Sequence, residues 1–141
     1  MSNRERFIEF MRRGFEQGDD TVVDELTAPD LVEHQFGLDG SGAAAREKVK
    51  AAIREVHRMV PDMRYSFDAM TEDGDTLWVR MTGRGTHQGG LFGGAPTGNP
   101  VEVTVIDICR FDAEGRIAEH WGVPDRFALL AQTGTLARLV A

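Results

Sequence analysis

Three patterns in this 141-residue sequence predict an α+β fold. Helical periodicity is concentrated before Pro61, period-two alternation follows it, and turn residues are spaced to join the alternating runs into hairpins. Helices first and antiparallel hairpins afterwards imply a curved sheet whose concave side is covered by the N-terminal helices. The whole chain, residues 1–141, reads as one domain, because no linker or repeat divides it and its length suffices for a core without disulfides or metal.

Phe7, Met11 and Phe15 recur at helical spacing, so the pattern predicts an amphipathic helix over residues 3–17 that Gly18 closes. Asp19 or Asp20 can cap a short second helix ending near Leu26. Pro29 should break the chain, leaving Leu31 to Phe36 extended. A third helix begins at Ser41-Gly42, carries the apolar stripe Ala45, Val49, Ile53, Val56 and Val60, and stops at Pro61. Two strands, Met63 to Thr71 and Leu77 to His87, flank the turn Glu72-Asp-Gly-Asp75. Two more, Val101 to Phe111 and Arg116 to Val123, flank Asp112-Ala-Glu-Gly115. Pro124 ends the last strand, Asp125 can cap a closing helix, and Gly134 terminates it.

Composition narrows the function classes. With 41% hydrophobic and 28% charged residues, the chain is ordinary for a globular protein, and no apolar run is long enough to span a bilayer. The N-terminus lacks the apolar stretch of a signal peptide, and the single Cys109 fits a reducing compartment, so a cytoplasmic location is expected. A net charge of −7, with no basic stripe, argues against nucleic acid as a partner. Among His34, His87, His120, Asp107 and Glu33 none falls at the short spacing of typical zinc pairs, and the glycine-rich run lacks the lysine of a phosphate loop. Neither a metal nor a cofactor is expected.

Strand parity sorts the polar residues. On Val101 to Phe111 the odd positions are Val101, Val103, Val105, Asp107, Cys109 and Phe111, so Asp107 shares the apolar face. His87 shares the corresponding face of its strand with Leu77, Val79 and Met81. Ala118, His120 and Gly122 lie on one side of the last strand, but sequence alone leaves open which side is the inner one. Ile106, Ile108 and Trp78 fall on the opposite, outer face, and an apolar patch there predicts a homodimer through the sheet.

Three runs, in order, carry a family resemblance: Ala28-Pro-Asp-Leu-Val-Glu-His34, His87-x-Gly89-x-Leu91-x-Gly93-x-x-Pro96-Thr97, and Gly115-Arg-Ile-x-Glu-His120 leading into Pro124-Asp125 and Leu130-x-Gln132-x-Gly134. On these the chain resembles the SnoaL-like polyketide cyclases of the NTF2-like superfamily, along nearly its whole length. The resemblance implies an α+β cone around a deep apolar pocket, a dimer or tetramer, and an intramolecular aldol cyclisation without metal or organic cofactor. It also implies a catalytic aspartate two residues after His120, where this chain has Gly122. The acid/base work therefore shifts, in this reading, to Asp107.

Enolising a carbon beside a carbonyl needs a base near neutrality and a donor for the developing enolate. Histidine titrates in that range, and a carboxyl set among Val103, Val105 and Phe111 can be raised toward it. The expected catalytic set is accordingly Asp107, His120 and His87: the carboxylate fixes the imidazole tautomer, His120 moves the proton, and His87 donates to an oxygen. Glu33 and His34, at the mouth, and Val105 are expected to contact substrate, with Leu91 and Phe92 forming a hinged apolar lid between glycine pairs. Two other readings stay open: a protein that binds an apolar ligand without chemistry, and a related hydroxylase, isomerase or epoxide hydrolase. Epoxide opening needs a carboxylate–arginine–carboxylate set, and Arg80 and Arg84 have the wrong parity to join Asp107.

Overall fold

The computed structural model describes all of residues 1–141 and bears out the α+β architecture. Helix α1 (Asn3–Phe10) starts from a capping box, in which the Ser2 side chain accepts from Glu5 N–H and the Glu5 carboxylate accepts from Ser2 N–H. The same helical stretch then widens into a π-type turn, Met11–Glu16, where Gln17 N–H reaches Arg12 O. Gly14 lies in this turn because a side chain there would press on Ile53 and Val22 at 3.2 Å, so its absence lets the turn approach the third helix. Helix α2 (Val22–Leu26) follows, with Asp19 binding Thr21 just ahead of it.

Strand β1 (Thr27–Glu33) begins earlier than expected and contains Pro29 instead of following it. Proline can sit in a strand where no ladder donor is needed, and the β1 register is interrupted between Thr27 and Val32. A two-residue strand β2 (Gly40–Ser41) leads into α3 (Gly42–Met59). The four long strands are β3 (Arg64–Asp73), β4 (Thr76–Thr86), β5 (Pro100–Phe111) and β6 (Ile117–Pro124), and α4 (Arg126–Gln132) and α5 (Thr135–Val140) close the chain. The Asp125 carboxylate caps α4 by accepting from Ala128 N–H, as its position predicted.

The sheet order is β2-β1-β6-β5-β4-β3. All pairings are antiparallel except β1 with β6, which is parallel. That exception departs from the all-antiparallel expectation, and its reason is topological: α3 and four strands separate β1 from β6, so no hairpin links them. A bulge between Phe67 and Ala69 helps bend the sheet. The core lies between the helices and the concave face, with Phe7, Phe10 and Ile53 meeting Leu77, Val79, Met81 and Cys109. Each such side chain, fully buried, contributes about 1.5–3 kcal/mol. No helix is long and apolar enough to cross a membrane.

Candidate active site

Inside the cone, toward one end of the core, is a cavity of about 620 Å³ lined mainly by apolar side chains. Asp107 and Val105 line it from β5, as parity required, and His120 lines it from β6, which settles the inner side of that strand. Glu33, the last residue of β1, completes the set.

The parallel pairing of β1 with β6 sets Glu33 opposite His120, and the antiparallel pairing of β5 with β6 sets Asp107 opposite Gly122. His120 Nδ1 is 2.7 Å from Glu33 Oε1, and His120 Nε2 is 3.0 Å from Asp107 Oδ1. Both carboxylates are buried, at 4% and 6% exposure, which would be costly without a cation between them. Burial disfavours the charged imidazole, but the charge and hydrogen bond of Asp107, joined by those of Glu33, outweigh it and raise the His120 pKa to about 10. His120 is therefore an imidazolium at neutral pH, and each N–H donates to a carboxylate. The three groups carry a net charge of −1.

Gly122 has a positive reason to be glycine. A Cβ there would overlap Gln35 Oε1 and stand 2.7 Å from Asp107 Oδ1 and 2.8 Å from His120 Cε1. The space that an aspartate would need at this position is filled by the Glu33–His120–Asp107 chain and Gln35.

A tyrosine missed by the sequence reading also lines the cavity. Tyr65 on β3 is paired with Gly83, whose missing side chain leaves room for the ring: a Cβ at Gly83 would lie 2.9 Å from Tyr65 Cε1. Burial first, then the charges of Asp107 and Glu16, push the Tyr65 hydroxyl well above its ordinary pKa, so it stays protonated as a donor. The available signal was Gly83 itself, an inward glycine beside Met81 that calls for a bulky neighbour on the adjacent strand. Gln35 and Arg126 were likewise missed, because both lie outside the strands where parity applies.

Several expected contacts are placed elsewhere. His34 turns to the outer face, where Nε2 is 2.7 Å from Glu119 Oε2 and the ring stacks on Trp121 at 4.7 Å. His34 N–H still donates to His120 O at 2.9 Å, so the β1–β6 pairing carries one residue past Glu33 and alternation turns His34 away from the cavity that Glu33 enters. The two Glu–His pairs are thus crossed between β1 and β6, Glu33 with His120 inside and His34 with Glu119 outside.

His87 is buried but does not line the cavity. Its strand ends at Thr86, so parity no longer governs it, and its Nδ1 accepts from the Thr97 N–H at 3.2 Å and lies 2.8 Å from Thr97 Oγ1. Its Nε2 has no partner. His87 thus fastens the base of the glycine-rich loop. Within that loop Phe92 lines the cavity, whereas Leu91 packs on the separate Met59–Val60–Met63–Val101 cluster. Arg138 Nη2 holds Leu91 O at 2.9 Å and Phe92 O at 2.8 Å, and Arg58 Nη2 holds Gly90 O at 2.8 Å. The loop is strapped down at its tip by these two arginines.

No group of three His, Cys, Asp or Glu side chains is arranged to hold a metal ion. Cys109 is buried and its thiol is raised well above the usual range by burial, so it is not a nucleophile.

Comparison with known proteins agrees with the fold. The chain superposes on TsrD from Streptomyces laurentii with a TM-score of 0.79 and 26% identity, covering 94% of this chain and 96% of that one. Wild-type IdmH from Streptomyces antibioticus, a proposed polyketide cyclase, gives a TM-score of 0.78 and 31% identity over 95% and 99%. AclR from Streptomyces galilaeus, a proposed hydroxylase, gives 0.77 and 25% over 95% and 87%. No curated protein matches the sequence. The family model of SnoaL-like polyketide cyclases matches residues 5–133, and the chain belongs to that family.

Proposed function

We propose that the protein is a cofactor-independent acid/base enzyme acting on a hydrophobic, carbonyl-bearing small molecule, by an intramolecular aldol step of the polyketide-cyclase kind. The observation that carries this reading is the buried Glu33–His120–Asp107 chain opening on an apolar cavity of about 620 Å³. The residue roles differ from the expectation that His120 moves the proton. Both of its nitrogens are engaged by carboxylates, so the proton goes to the Asp107 oxygen not bonded to His120. Asp107 Oδ2 takes the proton from the carbon beside the carbonyl, while the imidazolium holds Oδ1 in place. The Tyr65 hydroxyl donates to the enolate oxygen that develops. The enolate carbon then bonds to a second carbonyl carbon of the same molecule, and the protonated Asp107 returns its proton to the new alkoxide.

The test uses 2-tetralone in deuterated buffer, with exchange of its α-protons followed by NMR. Wild-type protein should accelerate exchange over buffer, and Asp107→Asn and His120→Ala should each lower the rate by about 10²–10⁴. Unchanged exchange in both variants would overturn the assignment.

One observation favours a second reading: Gly122 stands where the family resemblance expects the catalytic aspartate. Under that reading the protein binds an apolar ligand without transforming it, and both variants alter affinity alone. For the assembly we propose a homodimer through the outer face of the sheet, because Trp78, Ile106 and Val123 are exposed there at 47%, 46% and 70%. Sedimentation equilibrium at micromolar concentration should give twice the chain mass.

A further inference from the structure

We infer that the open end of the cavity is a subsite for a carboxylate, with Arg126 as its contact, so that the ligand is an apolar molecule bearing an acidic group opposite its reactive carbonyl. The carboxylate subsite rests on the cavity being the ligand site and not on the acid/base step; only the placing of the carbonyl at the buried end rests on that step. Its starting point is an arginine without a carboxylate. In a chain with 23 acidic and 16 basic residues, acids are not scarce. Arg12, Arg13, Arg46, Arg54, Arg58 and Arg116 all have carboxylate partners. Arg126, like Arg6, Arg64 and Arg138, makes no ion pair, and of these it alone lines the cavity.

Its guanidinium is nevertheless held in position. Nη2 donates to Phe36 O at 2.8 Å, and the group lies over the Phe36 ring at 5.7 Å from its centroid. Nε and Nη1 keep their N–H groups free, which leaves part of a planar fork able to receive a carboxylate. The surroundings suit such a ligand, because Phe36 and Phe92 border the opening with 83% and 66% of their surface exposed. A flat apolar molecule would cover both rings.

Charge fixes the orientation. The buried end carries Glu33, His120 and Asp107 with their net negative charge, which repels a carboxylate. Glu55, the other acidic residue of the lining, is paired with Arg58. Arg126 is therefore the one cation of the cavity not already neutralised, and it sits at the exposed end. An acidic ligand enters carbonyl first, with its carboxylate on Arg126.

The experiment compares 2-naphthoate with its methyl ester by isothermal titration calorimetry at low salt. Wild-type protein should bind the acid about tenfold more tightly than the ester, a charge-assisted hydrogen bond being stronger than a neutral one. Arg126→Gln should bring the ratio close to one while leaving ester affinity within about twofold, and Arg126→Lys should keep part of the preference. High salt should shrink the wild-type preference, since the pair is exposed. Equal affinities in the wild type, no binding of either compound, an unaltered ratio in Arg126→Gln, or equal weakening of both ligands by that change would each overturn the inference. No turnover is involved, so a lost acid preference with intact deuterium exchange removes this subsite alone. An intact preference without exchange removes only the acid/base reading.

Discussion

Replacing Gly122 with alanine is the sharpest perturbation of the site, because one methyl group meets Gln35, Asp107 and His120 together. The new Cβ overlaps Gln35 Oε1 and stands 2.7 Å from Asp107 Oδ1. Gln35 presents the far end of a flexible side chain and can move aside. Asp107 Oδ1 cannot move without leaving His120 Nε2, which it meets at 3.0 Å. A hydrogen bond to a charged group is worth about 1.5–3 kcal/mol, and a tenfold change in proton affinity corresponds to about 1.36 kcal/mol. Losing that bond should therefore lower the His120 pKa from about 10 by roughly one to two pH units. Long-range proton–nitrogen correlation spectra of the imidazole, recorded across neutral to alkaline pH, measure this directly. If His120 in Gly122→Ala still titrates near 10 on a folded protein, Gly122 is not what keeps the carboxylate and imidazole together, and the packing argument fails. Gly122→Asp, which places there the residue the family resemblance leads one to expect, should lower stability further, because it adds a third carboxylate to a crowded, buried site already at −1.

Other outcomes follow from the same contacts. The His120 pKa is raised from 6.5 to about 10 on folding, so its stabilising contribution is complete below about pH 6.5 and is lost as pH rises through 10. The difference in urea-unfolding free energy between wild type and His120→Gln should therefore shrink by about 4–5 kcal/mol across that window, and a flat difference would show that the imidazole is not held charged. Tyr65→Phe should slow 2-tetralone exchange by about 10²-fold or more if the hydroxyl meets the enolate, with ligand affinity little changed; an unchanged rate excludes it as a donor. Asp125→Ala removes the cap of α4 and should cost about 1 kcal/mol, seen as a small fall in Tm without a change in exchange rate.

Much of the fold was legible because it depends on local signals. Parity put Asp107 and Val105 on the inner face correctly, since side-chain alternation in an unbroken strand needs no tertiary information. It failed at His87, one residue beyond the strand, where the backbone turns and Thr97 captures the ring. Glu33 was expected at the mouth; it lines the cavity and is also the second acceptor of His120. Nothing local reveals that, because β1 and β6 are brought together by the topology and not by a turn. Tyr65 was overlooked for a related reason: its place in the cavity depends on the glycine across the sheet.

The crossed Glu–His pairs between β1 and β6 have a consequence for how the chain folds. Glu33 and His120 are 87 residues apart, and His34 and Glu119 are 85 apart, so both pairs wait on a late, long-range closure. Hairpins β3–β4 and β5–β6 can form early, with Asp107 and His120 already adjacent, but the imidazole then has only one carboxylate. A register slip of one residue in β1 would turn Glu33 outward beside Glu119 and push His34 inward against His120, setting like against like on both faces. The final strand docking thus checks its own alignment by charge, and a fully raised His120 pKa appears only in molecules that have passed that check.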